Sequence, residues 1–342
     1  MITVADFQKA AELIEASGNI LVTTHTRPDG DACGSVVALS QVLAALGRNV
    51  TPVLLCEIPE WYEFLFDEKP AILGRDISIE RLKDPAAPFD LAVILDTNSL
   101  AQLPGMGDYL RQFDRPILVA DHHVTSDGLG TLELLDTSAA ATGLIILDLI
   151  RQAGWPLTKK IAQALFVAVA TDTGWFRFKN TDSRTLKSCA QLIDAGADPT
   201  QTHRRIYENF SDSRFRLMTA MLSSLELHFD GRLAVQTLRR SDFESSAASY
   251  GDTENLIDEC RRIATVQAAA LFVETEDGRV RCSLRSTGPI DVRKIAQKFG
   301  GGGHTAAAGA HLSGPIENAK KLILKEFARQ FARHLSKPPI DP

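Results

Sequence analysis

Aspartate and histidine collect at four places in this chain, each at the end of an apolar run. His25-Thr-Arg-Pro-Asp29-Gly-Asp31 follows Asn19–Thr24, Asp96 follows Leu91–Leu95, Asp121-His122-His123 follows Ile117–Ala120, and Asp172 lies just past the apolar helix expected over Ile161–Ala170. Taken singly, an aspartate after a strand is most often a turn residue or a helix N-cap. A His-His pair is more often surface or core than ligand. Gathered in one place they are costly, because like charges repel and raise one another's pKa. Divalent cations remove that cost. Oxygen and imidazole donors without thiolates suit Mn²⁺ or Mg²⁺, with Mn²⁺ favoured by the histidines. Two such ions about 3.5–4 Å apart are a standard clamp for phosphoryl displacement, activating water and neutralising the leaving oxygen.

A second chemical signal lies near the other end. Gly300–Gly303 precedes Ala306–Ala308. Successive glycines let backbone approach a phosphate or base and aim several N–H groups at an anion. The segment Arg279–Lys298 before them carries six Lys/Arg and one Asp, a local excess that fits an anionic substrate. The plainer reading is a solvated surface around a flexible loop.

These groups need elements to hold them. Asn19–Thr24, Val50–Leu55, Leu91–Leu95 and Ile117–Ala120 read as strands apolar on both faces, with helical patterns such as Ala32–Leu46 between them. That alternation predicts an α/β domain with a parallel sheet and helices on both faces. In such a sheet ligands bind beyond the carboxyl ends of the strands, so three of the acid clusters should meet in one cleft. Helices are expected near Ala139–Gln152 and Thr158–Ala170. Around Leu192–Leu227 strand signals vanish, and Ala197-Asp-Pro-Thr200 reads as a turn and helix start. Beyond His228 the pattern turns α+β: strands at Arg232–Leu238 and Ala269–Glu274, a hairpin turn at Glu276–Arg279 into Val280–Leu284, helix from Asp291, and a final helix over Ile316–His334. The expected organisation is a catalytic domain over 1–190, a helical linker over 191–227 and a smaller α+β domain over 228–342.

Composition narrows the classes. The chain has 342 residues, 44% apolar and 23% charged, ordinary for about two globular domains. The charge-free apolar stretch Ala32–Gly47 falls short of the roughly 20 residues a membrane helix needs, so no membrane span is expected. The acidic, amphipathic N-terminus does not look like a signal peptide. Five scattered cysteines form no CxxC pair and fit a reducing cytoplasm. A net charge of −6 disfavours tight binding along a long nucleic-acid duplex, though not a short phosphorylated substrate held by local cations.

The four ordered motifs His25-x-Arg-Pro-Asp29-Gly-Asp31, Asp96, Asp121-His122-His123 and Asp172 resemble those of the DHH phosphoesterase superfamily. Gly300–Gly303 with His304-x-Ala-Ala-Ala-Gly309, and Ser283-Leu-Arg285-Ser286 before it, resemble the DHHA1 substrate-binding domain, and the resemblance spans nearly the whole chain. It implies that His25 and Asp29 hold one ion, that Asp31, His122 and Asp172 hold another, and that Asp96 bridges them. It implies that Asp121 orients a histidine ligand through a carboxylate–imidazole bond and that His123 faces the scissile phosphate as donor or proton carrier. Ser283, Arg285, Ser286, Gly301, Gly302, Gly303 and His304 are implied to bind substrate.

Histidine at the first motif sets the chain apart from RecJ-type members, which carry aspartate there. A chain of this size is not expected to hold their additional binding regions, and pyrophosphatases of the superfamily lack the glycine-histidine box. The resemblance therefore implies a two-metal phosphodiesterase that hydrolyses very short RNA to 5′-mononucleotides and 3′-phosphoadenosine 5′-phosphate (pAp) to AMP. The rival readings are a phosphodiesterase of cyclic or linear dinucleotides, an inactive nucleotide-binding module and an RNA-binding accessory protein. A homodimer is compatible with the sequence without being required by it. Cys33 is expected to serve helix packing, Trp61, Tyr62, Phe64 and Phe66 to pack at the core or domain edge, and Trp175 and Phe176 to wall the cleft.

Overall fold

Leu91–Leu95 and Ile117–Asp121 are buried along their whole length, as strands must be when helices cover both faces of a sheet. The computed structural model describes residues 2–86, 88–303 and 305–335 and divides between Asn209 and Phe210 into two compact units. The first unit runs α1 (Val4–Glu15), β1 (Asn19–Thr24), α2 (Gly30–Ala45), β2 (Asn49–Leu54), β3 (Ala71–Ile72), α3 (Ile79–Leu82), β4 (Leu91–Leu95), α4 (Met106–Arg111), β5 (Ile117–Asp121), β6 (Leu132–Leu135), α5 (Thr142–Ala153), α6 (Lys159–Asp172), α7 (Ser183–Asp194) and α8 (Pro199–Tyr207). Its sheet is parallel throughout, in the order β3-β2-β1-β4-β5-β6.

That order reverses direction between β1 and β4. Thr24 pairs with Leu95, so the residues next in the chain, His25 and Asp96, emerge side by side at the switch point where an open sheet parts to admit ligands. One face carries a core that includes Ile20, Val22, Leu39, Ile145 and Phe166; the other packs Leu21, Ile94, Leu103 and Val119. Helix α2 crosses α6 closely because Gly30 and Gly34 have no side chain. A Cβ at Gly34 would overlap the Ala164 carbonyl, and one at Gly30 the Thr171 side chain. The crossing brings Asp31, in the first turn of α2, toward Asp172 at the end of α6.

The second unit runs α9 (Asp212–Ser223), β7 (Glu226–His228), β8 (Leu233–Leu238), α10 (Arg240–Ser246), β9 (Ala268–Glu274), β10 (Val280–Ser286), α11 (Val292–Gln297), β11 (Gly302–Gly303), β12 (Ala307–Leu312) and α12 (Ile316–Leu335). Its sheet order is β11-β12-β10-β9-β8-β7, antiparallel except between β8 and β9. Helices α11 and α12 cover one face through Ile295, Ile323 and Phe327. Helix α9 and the 3₁₀ turn Leu256–Arg262 cover the other through Leu217, Met221 and Leu256.

Most expected elements form within a residue or two of their expected ends. The segment 191–227, expected as a helical linker, is mostly helical up to Ser223 and enters β7 at Glu226; Leu192 and Ile206 pack in the first unit's core, and Leu217 and Met221 in the second's. Strands β3, β6, β7, β11 and β12 carry no signal readable in the sequence. Strand β12 is Ala-Ala-Gly-Ala-His-Leu, without a β-branched residue, and exists because β10 offers it a partner. No described helix is long and apolar enough to cross a membrane.

Candidate metal centre

The loop after β1 carries His25 and then Arg27 in a left-handed conformation, φ 57°. Asp29 caps α2: its Oδ1 accepts from the Asp31 and Ala32 amides at 3.0 and 3.1 Å. Asp29 is thus the turn residue that the plainer reading expects, yet it also joins His25 and Asp96 in a group of converging donor atoms. Asp96 leaves β4 in a left-handed conformation, φ 60°, with its amide bonded to the Ala120 carbonyl at 2.9 Å. Such a conformation is uncommon outside glycine, asparagine and aspartate, and is kept where the surroundings over-determine it.

Two further groups of converging donors form. One is Asp31, His122 and Asp172; the other is Asp96, His122 and His123. Every residue assigned from sequence as a metal ligand therefore lies in a group with other such ligands, and Asp96 belongs to two of the groups.

The histidine tautomers follow from their partners. His25 Nδ1 lies 2.9 Å from the Thr26 carbonyl and His122 Nδ1 lies 3.2 Å from that of Ala139. A carbonyl only accepts, so each Nδ1 donates, and in a neutral ring Nε2 is then a bare acceptor. Both face carboxylates: His25 Nε2 is 3.4 Å from Asp96 Oδ2, and His122 Nε2 is 3.6 Å from Asp96 Oδ1, 3.6 Å from Asp172 Oδ2 and 3.7 Å from Asp31 Oδ2. Acceptors facing acceptors at these spacings call for a cation among them. Hard oxygen and imidazole donors with no thiolate in any group fit Mn²⁺ or Mg²⁺.

Electrostatics agree. Burial, then the carboxylates of Asp96, Asp172 and Asp29, holds the Asp31 carboxyl well above the usual range. Burial, then Asp29 and Asp172, does the same to Asp96. Burial and Asp29 push Asp172 up to about 7. Burial and its neighbour His123 lower His122, which keeps that ring neutral.

Asp121 is fully buried at the end of β5, with no hydrogen-bond partner for Oδ2 among the described residues. Its Oδ1 accepts from the His123 backbone at 3.1 Å and from His123 Nδ1 at 2.7 Å. The histidine it orients is thus His123, whereas His122 is oriented by Ala139. The bond to Asp121 raises the His123 pKa, and the half-exposed ring keeps Nε2 for a ligand.

The residues that sequence reading missed stand at the start of α5. The Thr142 and Gly143 amides donate to Asp31 at 2.6 and 2.9 Å, and the Thr142 hydroxyl donates to Asp96 Oδ1 at 3.0 Å. The available signal was a helix beginning after Ala139-Ala-Ala141 with no capping side chain of its own.

In the second unit, Ser283 and Arg285 share one face of β10, while Ser286 lies on the other. Ser286 is buried, and its hydroxyl lies near the Gln267 and Gly288 backbone. The sequence grouping of all three on one substrate is corrected by strand alternation, which turns Ser286 inward. Ser283 pairs with Gly309 and Gly309 with Gly302, while Arg285 pairs with Ala307. On its β12 side the sheet therefore sets nothing larger than a methyl beside Ser283 and Arg285, while on its β9 side Ser283 pairs with Leu271 and Arg285 with Ala269.

Gly301 and Gly303 are needed for β11 to approach β12, since a Cβ on either would overlap backbone there. At Gly302 a Cβ would meet nothing within 4 Å. The Arg279–Lys298 cations find local partners rather than forming one patch: Arg279 pairs with Asp277, Arg281 lies over Tyr250, Arg293 and Lys294 pair with Asp291, and Lys298 pairs with Glu326. Arg285 has a longer contact, 3.7 Å to Asp258. His304 lies outside the described residues.

Cys33 is buried in the core, and Tyr62 is buried with Trp61, Phe64 and Phe66 packed against the same cluster. Trp175 and Phe176, both left-handed, pack there too, and Trp175 stands edge-on to His203 and Tyr207.

A doubly wound sheet with acids and histidines converging at its switch point, followed by a mixed-sheet unit with a glycine-edged strand, defines a known class. The chain belongs to the DHH family: residues 19–169 match the DHH family, N-terminal domain, and residues 230–333 match the DHHA1 domain. It is 32% identical over 328 residues to the bifunctional oligoribonuclease and PAP phosphatase NrnA of Thermus thermophilus, covering 94% of each chain. It is 27% identical over 296 residues to the protein of the same name from Bacillus subtilis, covering 86% of this chain and 89% of that one. Its fold is similar to that of an exopolyphosphatase-related protein from Bacteroides fragilis, with a TM-score of 0.88, 23% identity, and 96% and 97% of the two chains covered.

Proposed function

We propose that this chain is a metal-dependent phosphodiesterase that hydrolyses very short oligoribonucleotides to 5′-mononucleotides and pAp to AMP. The observation that carries the reading is the membership of Asp96 in two converging ligand groups, in a chain aligned almost end to end with relatives that bear both activities in their name. His25, Asp29 and Asp96 would hold one divalent ion, and Asp31, His122, Asp172 and Asp96 a second, with Mn²⁺ favoured over Mg²⁺ by the two imidazoles. When bound, such a pair supplies Lewis-acid polarisation of the phosphoryl group and lowers the pKa of water.

The remaining steps fall to the chain. Asp121 keeps the His123 ring oriented and favours its protonated form, so His123 can donate to a phosphate oxygen as negative charge builds in the transition state. Ser283, Arg285 and the backbone of Gly302 serve the nucleotide end of the substrate, with Arg285 able to pair bidentately with a phosphate. Gly301 and Gly303 shape the strand edge that carries Gly302, and His304 belongs to the same box. The cysteines among the described residues are free, as in a reducing cytoplasm, where we place the enzyme.

The test is a side-by-side turnover assay in Mn²⁺ with pAp, an RNA ladder of two to five nucleotides, a 24-nucleotide RNA and a cyclic dinucleotide. Fast cleavage of pAp and dinucleotides with a steep fall toward the 24-mer is expected. Equal rates per end across the ladder would point to a processive exonuclease, and preference for the cyclic compound to the dinucleotide reading.

A further inference from the structure

Helix α5 begins without a cap of its own: the N-cap residue is Ala141, whose side chain makes no capping bond. Its first amides are satisfied by the carboxylate of Asp31, 111 residues earlier in the chain, with Thr142 N–H on Oδ2 at 2.6 Å and Gly143 N–H on Oδ1 at 2.9 Å. A carboxylate at a helix N-terminus meets orphan donors and the positive end of the dipole, so this bond fixes Asp31 firmly. The Ser35 hydroxyl adds a third bond to Oδ1 at 3.2 Å.

Thr142 reaches a second carboxylate with its side chain. Its hydroxyl donates to Asp96 Oδ1 at 3.0 Å, and both residues are buried. The contacts of Asp96 with His25, His122 and His123, at 3.4, 3.6 and 3.8 Å, are longer than hydrogen bonds. The Asp96 backbone is already set by its left-handed φ and its bond to Ala120. Rotation of the carboxylate is the freedom left to it, and the Thr142 hydroxyl is the donor that stops it. With that bond made, Oδ1 faces His122 and Oδ2 faces His25, one oxygen toward each ligand group.

We infer that Thr142 is a positioning residue that sets the bridging orientation of Asp96 and its spacing from Asp31, and so lets two divalent ions bind together. The inference rests on the two-ion reading above. A hydroxyl is needed for it, a backbone amide alone is not enough, and serine should serve nearly as well as threonine.

The experiment is Mn²⁺ titration by calorimetry, with low-temperature electron paramagnetic resonance, on the full chain and its Thr142→Val and Thr142→Ser variants. Wild type should take up two ions and show the spectrum of an exchange-coupled pair. Thr142→Val should bind its weaker ion about 10- to 100-fold less tightly, as is typical when an outer partner of a metal ligand is lost, and the coupled spectrum should give way to that of isolated ions. Thr142→Ser should restore both. Equal metal-free melting temperatures of Thr142→Val and wild type show that the loss is not one of folding. If Thr142→Val fails to fold, Thr142→Ala is read in the same way. Two ions at wild-type affinity with a coupled spectrum in the hydroxyl-free variant overturn the inference and leave the two-ion reading standing. A single ion in wild type overturns both.

Discussion

Asp121 accepts a 2.7 Å hydrogen bond from Nδ1 of His123, two residues on, from a position with no solvent exposure. The intervening His122 turns to the Ala139 carbonyl instead. The triplet therefore gives its two histidines different work: His122 offers a bare Nε2 to the acids, and His123 is held by a carboxylate that favours its charged form. Asp121→Asn should lower kcat about 10- to 100-fold while two Mn²⁺ still bind. Calorimetry alongside kcat checks this. Loss of metal binding in step with activity would make Asp121 a ligand in its own right.

Asp96 supplies an oxygen toward each of two ligand groups. Asp96→Asn should be the most damaging single change, cutting turnover by more than the roughly 10- to 100-fold that accompanies loss of an outer partner. Chelation with EDTA should abolish activity, and Mn²⁺ should restore it in wild type alone. Full turnover by the variant in Mn²⁺ would remove the bridge.

Asp31, Asp96 and Asp172 all titrate above the unfolded value in the metal-free chain, Asp172 at about 7. A carboxyl with a raised folded pKa binds more protons folded than unfolded. Its contribution is intact below the unfolded value, near 3.9, and is lost as pH climbs through the folded one. His122 and His123 shift in opposite directions. The EDTA-treated protein should therefore melt at lower temperature at pH 8 than at pH 5, and Mn²⁺ should raise the pH 8 value most. Scanning calorimetry at the two pH values reads this directly. A metal-free melting temperature that rises over the interval contradicts it.

Arg285 lies in the second unit, away in sequence from every metal motif. Arg285→Ala should cost about 1.5–3 kcal/mol on dinucleotides and pAp, or about 10- to 150-fold in kcat/KM, part of it in turnover because remote binding energy can position the scissile phosphate. Hydrolysis of bis-p-nitrophenyl phosphate, which engages the metals alone, should survive Arg285→Ala but not His122→Ala. Equal losses on both substrates in Arg285→Ala, with fold and metal content intact, would end the capture role.

The glycine box contains two kinds of position. Gly301→Ala should destabilise the second unit by about 1–3 kcal/mol, because its Cβ must displace the Gly309 carbonyl. Gly302→Ala meets nothing in the fold. It should leave the melting temperature unchanged and raise KM for dinucleotides if substrate backbone lies close there. Unchanged kinetics in Gly302→Ala would mean that the open space serves no ligand.

The candidate ligands could be grouped from sequence because a parallel sheet gathers the residues just beyond the ends of its strands: His25, Asp96 and His122 stand at the ends of three adjacent strands although far apart in the chain. Asp172 was legible only as the end of an apolar helix, and a pair of glycines at a helix crossing carries it to the others. Thr142 was not legible, since a threonine after three alanines offers no sign that carboxylates from two other elements converge on it. Ser286 was misplaced for a simpler reason. It sits one residue from Arg285 in a strand, and period-two alternation sends the two to opposite faces. The edge strands β3 and β11 have two residues each, too few for any pattern.

Strand order also gathers the candidate donors behind the middle strands of the first sheet, β1, β4 and β5, together with Asp172 from α6, and leaves β2 and β3 at one edge without any. Among the described residues, nothing from β2, β3 or the chain between β2 and β4 enters any of the three ligand groups. That edge reaches the donors through a neighbour: the Arg27 amide, between His25 and Asp29, donates to Cys56 Sγ at 3.0 Å. A change at that edge can tune the loop that carries two candidate donors without replacing either of them.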